Sequence, residues 1–158
     1  RASYTWAKGQ GPAYRFGELG GTLAVRPTAA GRTVLRLAGQ WRFASQNPLD
    51  LSDRWQAGGA HSVRGFGTGA VTGERGVGLQ IALHRPLELA GPNAAEAYVF
   101  TDLARATTEG VSQRIAALGA GLQLQLSTRV AMDAMLSHQV AGFQGDRTRL
   151  SFRVSASW

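Results

Sequence analysis

The sequence has no cysteine. Disulfides, thiolate metal sites and cysteine nucleophiles are therefore excluded. Lysine is almost absent too. Sixteen of the seventeen basic residues are arginine, set against ten acidic residues for a net charge of +7. No run approaches the ~18 apolar residues that a membrane helix needs. The first residues, RASYTWAKGQ, carry no signal-peptide hydrophobic region. These last two absences suit a cytosolic protein. They suit a membrane β-barrel equally, because barrel segments alternate and never form long apolar runs. At 158 residues the length fits one domain of seven or eight strands.

Motifs for catalysis or ligand chemistry are also missing. GFGTGAVTGERGVG is glycine-rich, but it lacks the GK[ST] ending of a phosphate loop and no helix follows it. His61, His84 and His138 are dispersed, with no spacing that suits a metal. Ser62 lies in no GxSxG elbow. Asp50, Asp53 and Glu74 read as solvated loop charges. The sequence thus points to no enzyme, no cofactor and no metal site.

What the sequence does have is period-two alternation, repeated along its length. In VLRLAGQWRFA, Leu35, Leu37, Gly39, Trp41 and Phe43 share one face, opposite Arg36, Ala38, Gln40 and Arg42. Leu122, Leu124 and Leu126 oppose Gln123, Gln125 and Ser127. Leu150, Phe152, Val154, Ala156 and Trp158 oppose Ser151, Arg153, Ser155 and Ser157. Strands are predicted near 14–27, 32–45, 76–87, 96–104, 114–127, 129–140 and 147–158, and residues 1–10 read as the end of an earlier one. Between about 46 and 75 lies a long stretch with no clear strand, and loops of that length are usually functional or disordered. Two details favour a barrel over a soluble sandwich. Arg36, Arg42, Arg129 and Arg153 fall on the polar faces with Gln and Ser, and Trp41, Phe43 and Trp158 stand near strand ends like an aromatic girdle. Nucleic-acid binding would ask for arginines interleaved with aromatics on one exposed face, and here they alternate with apolar neighbours on separate strands. They are expected to converge on a basic, polar lumen.

The long loop carries GGAHSVRGFGTG. Glycine at this density is costly to order, so the segment needs a pin, and Arg64 is the obvious one. Phe100 and Asp102 share a strand face with Tyr98.

With WQAGGAHSVRGF (55–66), TGERGVG (72–78), YVFTDLA (98–104) and an aromatic C-terminus, the chain resembles the two-partner secretion transporters of Gram-negative outer membranes. These are hemolysin-activator-like members of the BamA-like barrel superfamily. The resemblance implies an all-β fold, an antiparallel outer-membrane barrel portion with a long lumen-inserted loop. It makes residues 1–158 the C-terminal part of the barrel, with the periplasmic POTRA domains and N-terminal strands absent. It makes Gly58, Gly59, Ser62, Val63, Arg64, Gly65 and Phe66 the loop motif, Phe100 and Asp102 its anchor, and Phe152 and Trp158 an insertion signal. Four positions depart from the family pattern. Ala104 replaces a glycine, Ala82 stands where a glutamate is common, and the C-terminus ends on Trp158, with Arg153 where a glycine is favoured. The implied function is passive translocation of a large secreted exoprotein across the outer membrane. The implied partners are that exoprotein, the lipid bilayer and the barrel-assembly machinery during biogenesis. The alternatives are a barrel-assembly insertase of the same superfamily and a soluble basic β-domain that binds an acidic partner.

Overall fold

The computed structural model describes residues 2–7, 14–27, 31–44, 49–88 and 94–157. Three strands precede the long loop: β1 (Ala2–Ala7), β2 (Tyr14–Val25) and β3 (Val34–Ala44). Two short ones lie within it, β4 (Trp55–Ala57) and β5 (Val71–Gly73). Five follow: β6 (Arg75–Leu87), β7 (Ala94–Thr108), β8 (Val111–Gln125), β9 (Val130–Ala141) and β10 (Thr148–Ala156). All but β4 and β5 form one antiparallel sheet in the order β1-β2-β3-β6-β7-β8-β9-β10, while β4 and β5 pair as a separate hairpin. The all-β antiparallel fold read from the alternation is the fold the chain adopts. The sheet is open, with β1 and β10 at its edges. Among the described residues no helix is long and apolar enough to cross a membrane.

Three local expectations are corrected. The stretch 46–75 is not strandless: it holds a 3-10 turn at Leu51–Asp53 and the β4–β5 hairpin. Strands β7 and β8 run longer than the predicted 96–104 and 114–127. Their shared turn is Glu109-Gly110, where both residues have positive φ (49° and 83°). Such a two-residue turn matches the right-handed twist of a hairpin, so pairing continues up to it. Finally, Arg129 lies in the bend before β9, exposed and off any strand. It therefore lines no face of the sheet.

The register sorts the side chains into two faces. On one stand Arg36, Gln80, Asp102, Ala117 and Ser137, and the loop packs over this face. The opposite face carries Leu19, Leu23, Trp41, Val77, Leu83, Val99, Leu103, Leu118, Leu136 and Phe152, all large, apolar and exposed. An apolar face extending across seven neighbouring strands far exceeds what a water-soluble monomer leaves bare. Strand connections of 26–33, 88–93 and 126–129 leave one end of the sheet, while the long loop, the Glu109-Gly110 turn and the 142–147 connection leave the other.

Candidate functional site

The loop returns onto the sheet because its short hairpin is apolar on one side. Trp55, Ala57 and Val71 of β4 and β5 join Val63 and Phe66 of the loop in a cluster with Ala104, Ala106, Ile115 and Ala117 of β7 and β8. Small residues on the sheet make room. A side chain at Gly76 would run into the indole of Trp55, and Ala104 and Ala117 leave the space that Val63 and Phe66 fill.

Turns on both sides of Arg64 then fix the tip. Ser62 N–H donates to the Gly59 carbonyl (3.2 Å), Phe66 N–H to Val63 (3.4 Å), and Gly59 N–H to Phe66 (3.1 Å). Gly58, Gly59 and Gly65 all have positive φ. Gly65 is constrained twice over. Its φ is +89°, and a Cβ there would stand 2.7 Å from Ser137 Oγ and 2.9 Å from Ser137 Cβ.

With its neighbours on either side buried, Arg64 reaches along β7 to Asp102. Its Nε donates to Oδ2 and its Nη2 to Oδ1, both at 2.7 Å, and its backbone N–H donates to Oδ2 at 3.0 Å. The Asp102 side chain is fully covered and that of Arg64 is 14% exposed. The guanidinium also lies over the Phe100 ring, 3.7 Å from its centroid, and 5.9 Å from that of Tyr98. Both rings rest on glycines directly opposite in β8, Phe100 on Gly119 and Tyr98 on Gly121. One strand face thus offers the cation a carboxylate and an aromatic surface together, a combination that favours arginine over lysine. Ala82, at the glutamate position of the family pattern, is buried beside Tyr98 and Phe100.

A second clamp holds the same tip, and no sequence motif announces it. Buried Gln139 of β9 donates from Nε2 to the carbonyls of Gly65 (3.0 Å) and Gln144 (3.2 Å) and accepts from Gln144 N–H (2.8 Å). Gln144 in turn donates to the Ala70 carbonyl at 2.9 Å. The only available signal was that Gln139 shares strand parity with Ser137 and Met135.

The remaining candidates are placed as follows. Arg42 is held under the loop: it pairs with Glu18 at 2.6 Å, donates to the Asp53 carbonyl and lies over Phe16. Arg36 lies 3.5 Å from Glu96, which also bonds buried His84. Arg153 stands opposite Asp133 in the β9–β10 register, and Asp133 accepts from Tyr98 Oη at 3.1 Å. Three of the four arginines expected as a basic lining, Arg36, Arg42 and Arg153, thus face a carboxylate on the next strand or the one beyond. Glu74 is not a solvated loop charge. It is 1% exposed and accepts from Glu109 N–H at 3.2 Å. Phe152 projects from edge strand β10 on the bare apolar face, 72% exposed. Trp158 lies outside the described residues.

The profile of the haemolysin secretion/activation protein family ShlB/FhaC/HecB matches residues 15–126, well over half of the chain. No individual curated protein matches it. The matched span covers the loop and the motif strand β7, so Arg64 and Asp102 both fall inside it.

Proposed function

The chain belongs to the haemolysin secretion/activation protein family, and from that premise we propose that it is one side of a β-barrel pore in the Gram-negative outer membrane, through which a large secreted partner protein passes. The bare apolar face meets lipid. The loop-bearing face lines the lumen. Neither edge of the open sheet can stay unpaired in hydrocarbon, where an unsatisfied backbone group costs several kcal/mol. The staves that close the barrel therefore come from further strands of the transporter. The observation that carries this reading is the Arg64–Asp102 chelate, buried on one face of a sheet whose other face is apolar and exposed. A soluble basic β-domain has no use for such an exposed apolar face.

Mechanistically, the site is an anchor. A loop built largely of glycine and small polar residues cannot hold one position inside a pore by its own stiffness. Three hydrogen bonds to one carboxylate, a cation–π contact and the Gln139 clamp hold it at one height. Breaking one side of a buried ion pair costs about 3–5 kcal/mol, enough to keep the detached loop rare. The lumen face beside it presents paired charges, glutamines and serines. It can solvate an extended polypeptide of either charge without gripping it, and no nucleotide or cofactor is needed for such passive conduction. The test is secretion of the partner by the intact transporter when Arg64, Asp102 or both are replaced. Undiminished secretion with a demonstrably detached loop would sink the anchor's role in transport.

A further inference from the structure

The lumen-face arginines Arg36, Arg42 and Arg64 are ion-paired, but a second group of arginines is not. Arg105 of β7 and Arg114 of β8 are direct cross-strand partners. Both are exposed, and both point to the bare apolar face, because their neighbours Ala104, Ala106 and Ile115 are buried on the other. Side chains so paired stand about 5 Å apart, and like charges there repel. Arg75 of β6 lies one outward row closer to the loop end, also exposed. Among the described residues no carboxylate forms an ion pair with any of the three. Arg105 donates to Ser112 Oγ at 2.9 Å, which draws it toward the loop end and away from the apolar rows.

The position of this cluster is specific. Arg105 is in register with Val77, and Val77 with Trp41, so the arginines share a row with an exposed aromatic residue. Below that row the large outward residues are Leu103, Leu79, Leu118, Ile81, Val99 and Leu83, interrupted by Thr101 and the small Ala116 and Ala120, until Arg85 near the opposite end. From Val77 to Arg85 the strand runs roughly 26 Å, or about 20 Å along the membrane normal after a ~40° tilt. That is close to the height of a lipid-facing band. The cluster therefore stands at headgroup level on the loop side.

We propose that Arg75, Arg105 and Arg114 form a binding site for the phosphate headgroup of an anionic membrane lipid in the leaflet on the loop side. The site rests on the membrane placement proposed above. A phosphate oxygen cluster accepts from two or three guanidiniums at once. It removes the repulsion that the protein itself leaves uncompensated, while the acyl chains lie on the apolar rows beneath. Arg36, Arg42 and Arg64 need no such ligand, because each has its carboxylate within the sheet.

The experiment uses the intact transporter reconstituted in phosphatidylcholine vesicles with and without phosphatidic acid, and separately in zwitterionic detergent. The readouts are co-purified lipid by native mass spectrometry and the thermal midpoint. For wild type, phosphatidic acid raises the midpoint and is retained. The double variant Arg105→Gln/Arg114→Gln binds it roughly thirtyfold more weakly, at about one factor of five per headgroup-level arginine. Arg129→Gln, at the other end of the sheet, leaves binding unchanged. A second variant, Arg114→Glu, gives the site a signature that simple misfolding cannot mimic. It raises the midpoint in lipid-free zwitterionic detergent by pairing with Arg105, yet abolishes the gain from phosphatidic acid. Three results would overturn the site: unchanged binding in the double variant, an equal loss in Arg129→Gln, or full stabilisation of wild type in detergent by inorganic phosphate alone. Failure of the transporter to insert into either vesicle would overturn the membrane placement as well, so the two ideas fail separately.

Discussion

Replacing Asp102 by alanine should release the loop tip, and the structure sets the size of the effect. Asp102 is fully covered and accepts three hydrogen bonds from one residue, two of them charge-assisted at 2.7 Å. Its removal strands a guanidinium that is only 14% exposed, and one-sided loss of a buried pair costs about 3–5 kcal/mol. The Phe100 ring still faces the cation and retains about 1 kcal/mol of that. The expected cost is therefore about 3 kcal/mol, and about the same for Arg64→Ala, which strands the carboxylate instead. The double variant strands neither charge. Its cost should stay near 3–4 kcal/mol rather than doubling, a coupling of about 2–3 kcal/mol.

About 3 kcal/mol multiplies the population of the detached loop by roughly 150. Trypsin cleavage after Arg54, inside the loop, reads that population when opening is fast relative to cutting. In the intact transporter each single variant should be cut on the order of a hundredfold faster than wild type, and the double variant only a few-fold faster still. Asp102→Asn, which keeps one acceptor of the same shape, should fall between. Multiplicative effects, with the double variant near ten-thousandfold, would mean that the two residues act independently and that the chelate is not the anchor. Wild-type cleavage in Arg64→Ala would mean that the apolar cluster around Trp55 and Phe66 holds the loop unaided.

Three further outcomes are expected. Gly65→Ala should cost about 2 kcal/mol from its +89° φ and the approach to Ser137; adding Ser137→Gly should recover the steric share only, read by the same cleavage. Gln139→Met keeps the volume but leaves the Gly65 and Gln144 carbonyls and the Gln144 N–H without their partner. It should cost about 1–3 kcal/mol, and hydrogen exchange should rise at Gln144 while the Asp102 contact persists. Ile81→Arg, midway down the apolar rows, should lower folding stability in vesicles by about 2–4 kcal/mol, whereas Val77→Arg at the rim should cost about 0–1 kcal/mol. Equal penalties at both depths would contradict a lipid-facing band.

The main sheet was legible because period two is a strong signal wherever one face is apolar. The faces of β3, β8 and β10 follow directly from Leu35–Phe43, Leu122–Leu124 and Leu150–Ala156. The turn chemistry was read less well. Thr107-Thr108-Glu109-Gly110 interrupts an alternating pattern with polar residues, so the pattern for β7 stops at 104, and Glu-Gly, unlike Asn-Gly or Asp-Gly, does not announce a two-residue hairpin with positive φ at both positions. Strands β4 and β5 are three residues each, too short for any periodicity to register. They exist because Trp55 finds a seat over Gly76 and Val71 packs on β7 and β8, which are tertiary facts. Arg64 is nameable as the pin of a glycine-dense loop, and Asp102 as its partner only through the family resemblance. Gln139 is not, because a glutamine on a polar strand face carries no sign of what its amide meets. Glu74 misled for the opposite reason: charged residues flanking a loop are usually solvated, and this one is buried by the turn its carboxylate caps.

The placement of arginine separates two meanings of a net charge of +7. A lumen lined by unpaired arginines would attract acidic segments and hold them, since a charge near low-dielectric walls acts more strongly than in bulk water. That is a poor property for a conduit. Here the pairs Glu18–Arg42, Arg36–Glu96 and Arg64–Asp102 neutralise three of the lumen-face arginines within the sheet. The surplus is carried elsewhere, and part of it lies at the outward rim. In water, adjacent arginines such as Arg105 and Arg114 would repel weakly and be screened by salt. At the edge of a hydrocarbon band the screening is weaker and the repulsion larger, so the arrangement is stable only beside a fixed counter-charge. The lumen pairs bring their counter-charge in the same chain, which makes them independent of what surrounds the barrel. The rim arginines draw theirs from the membrane, which ties the loop end of the sheet to one depth and one leaflet.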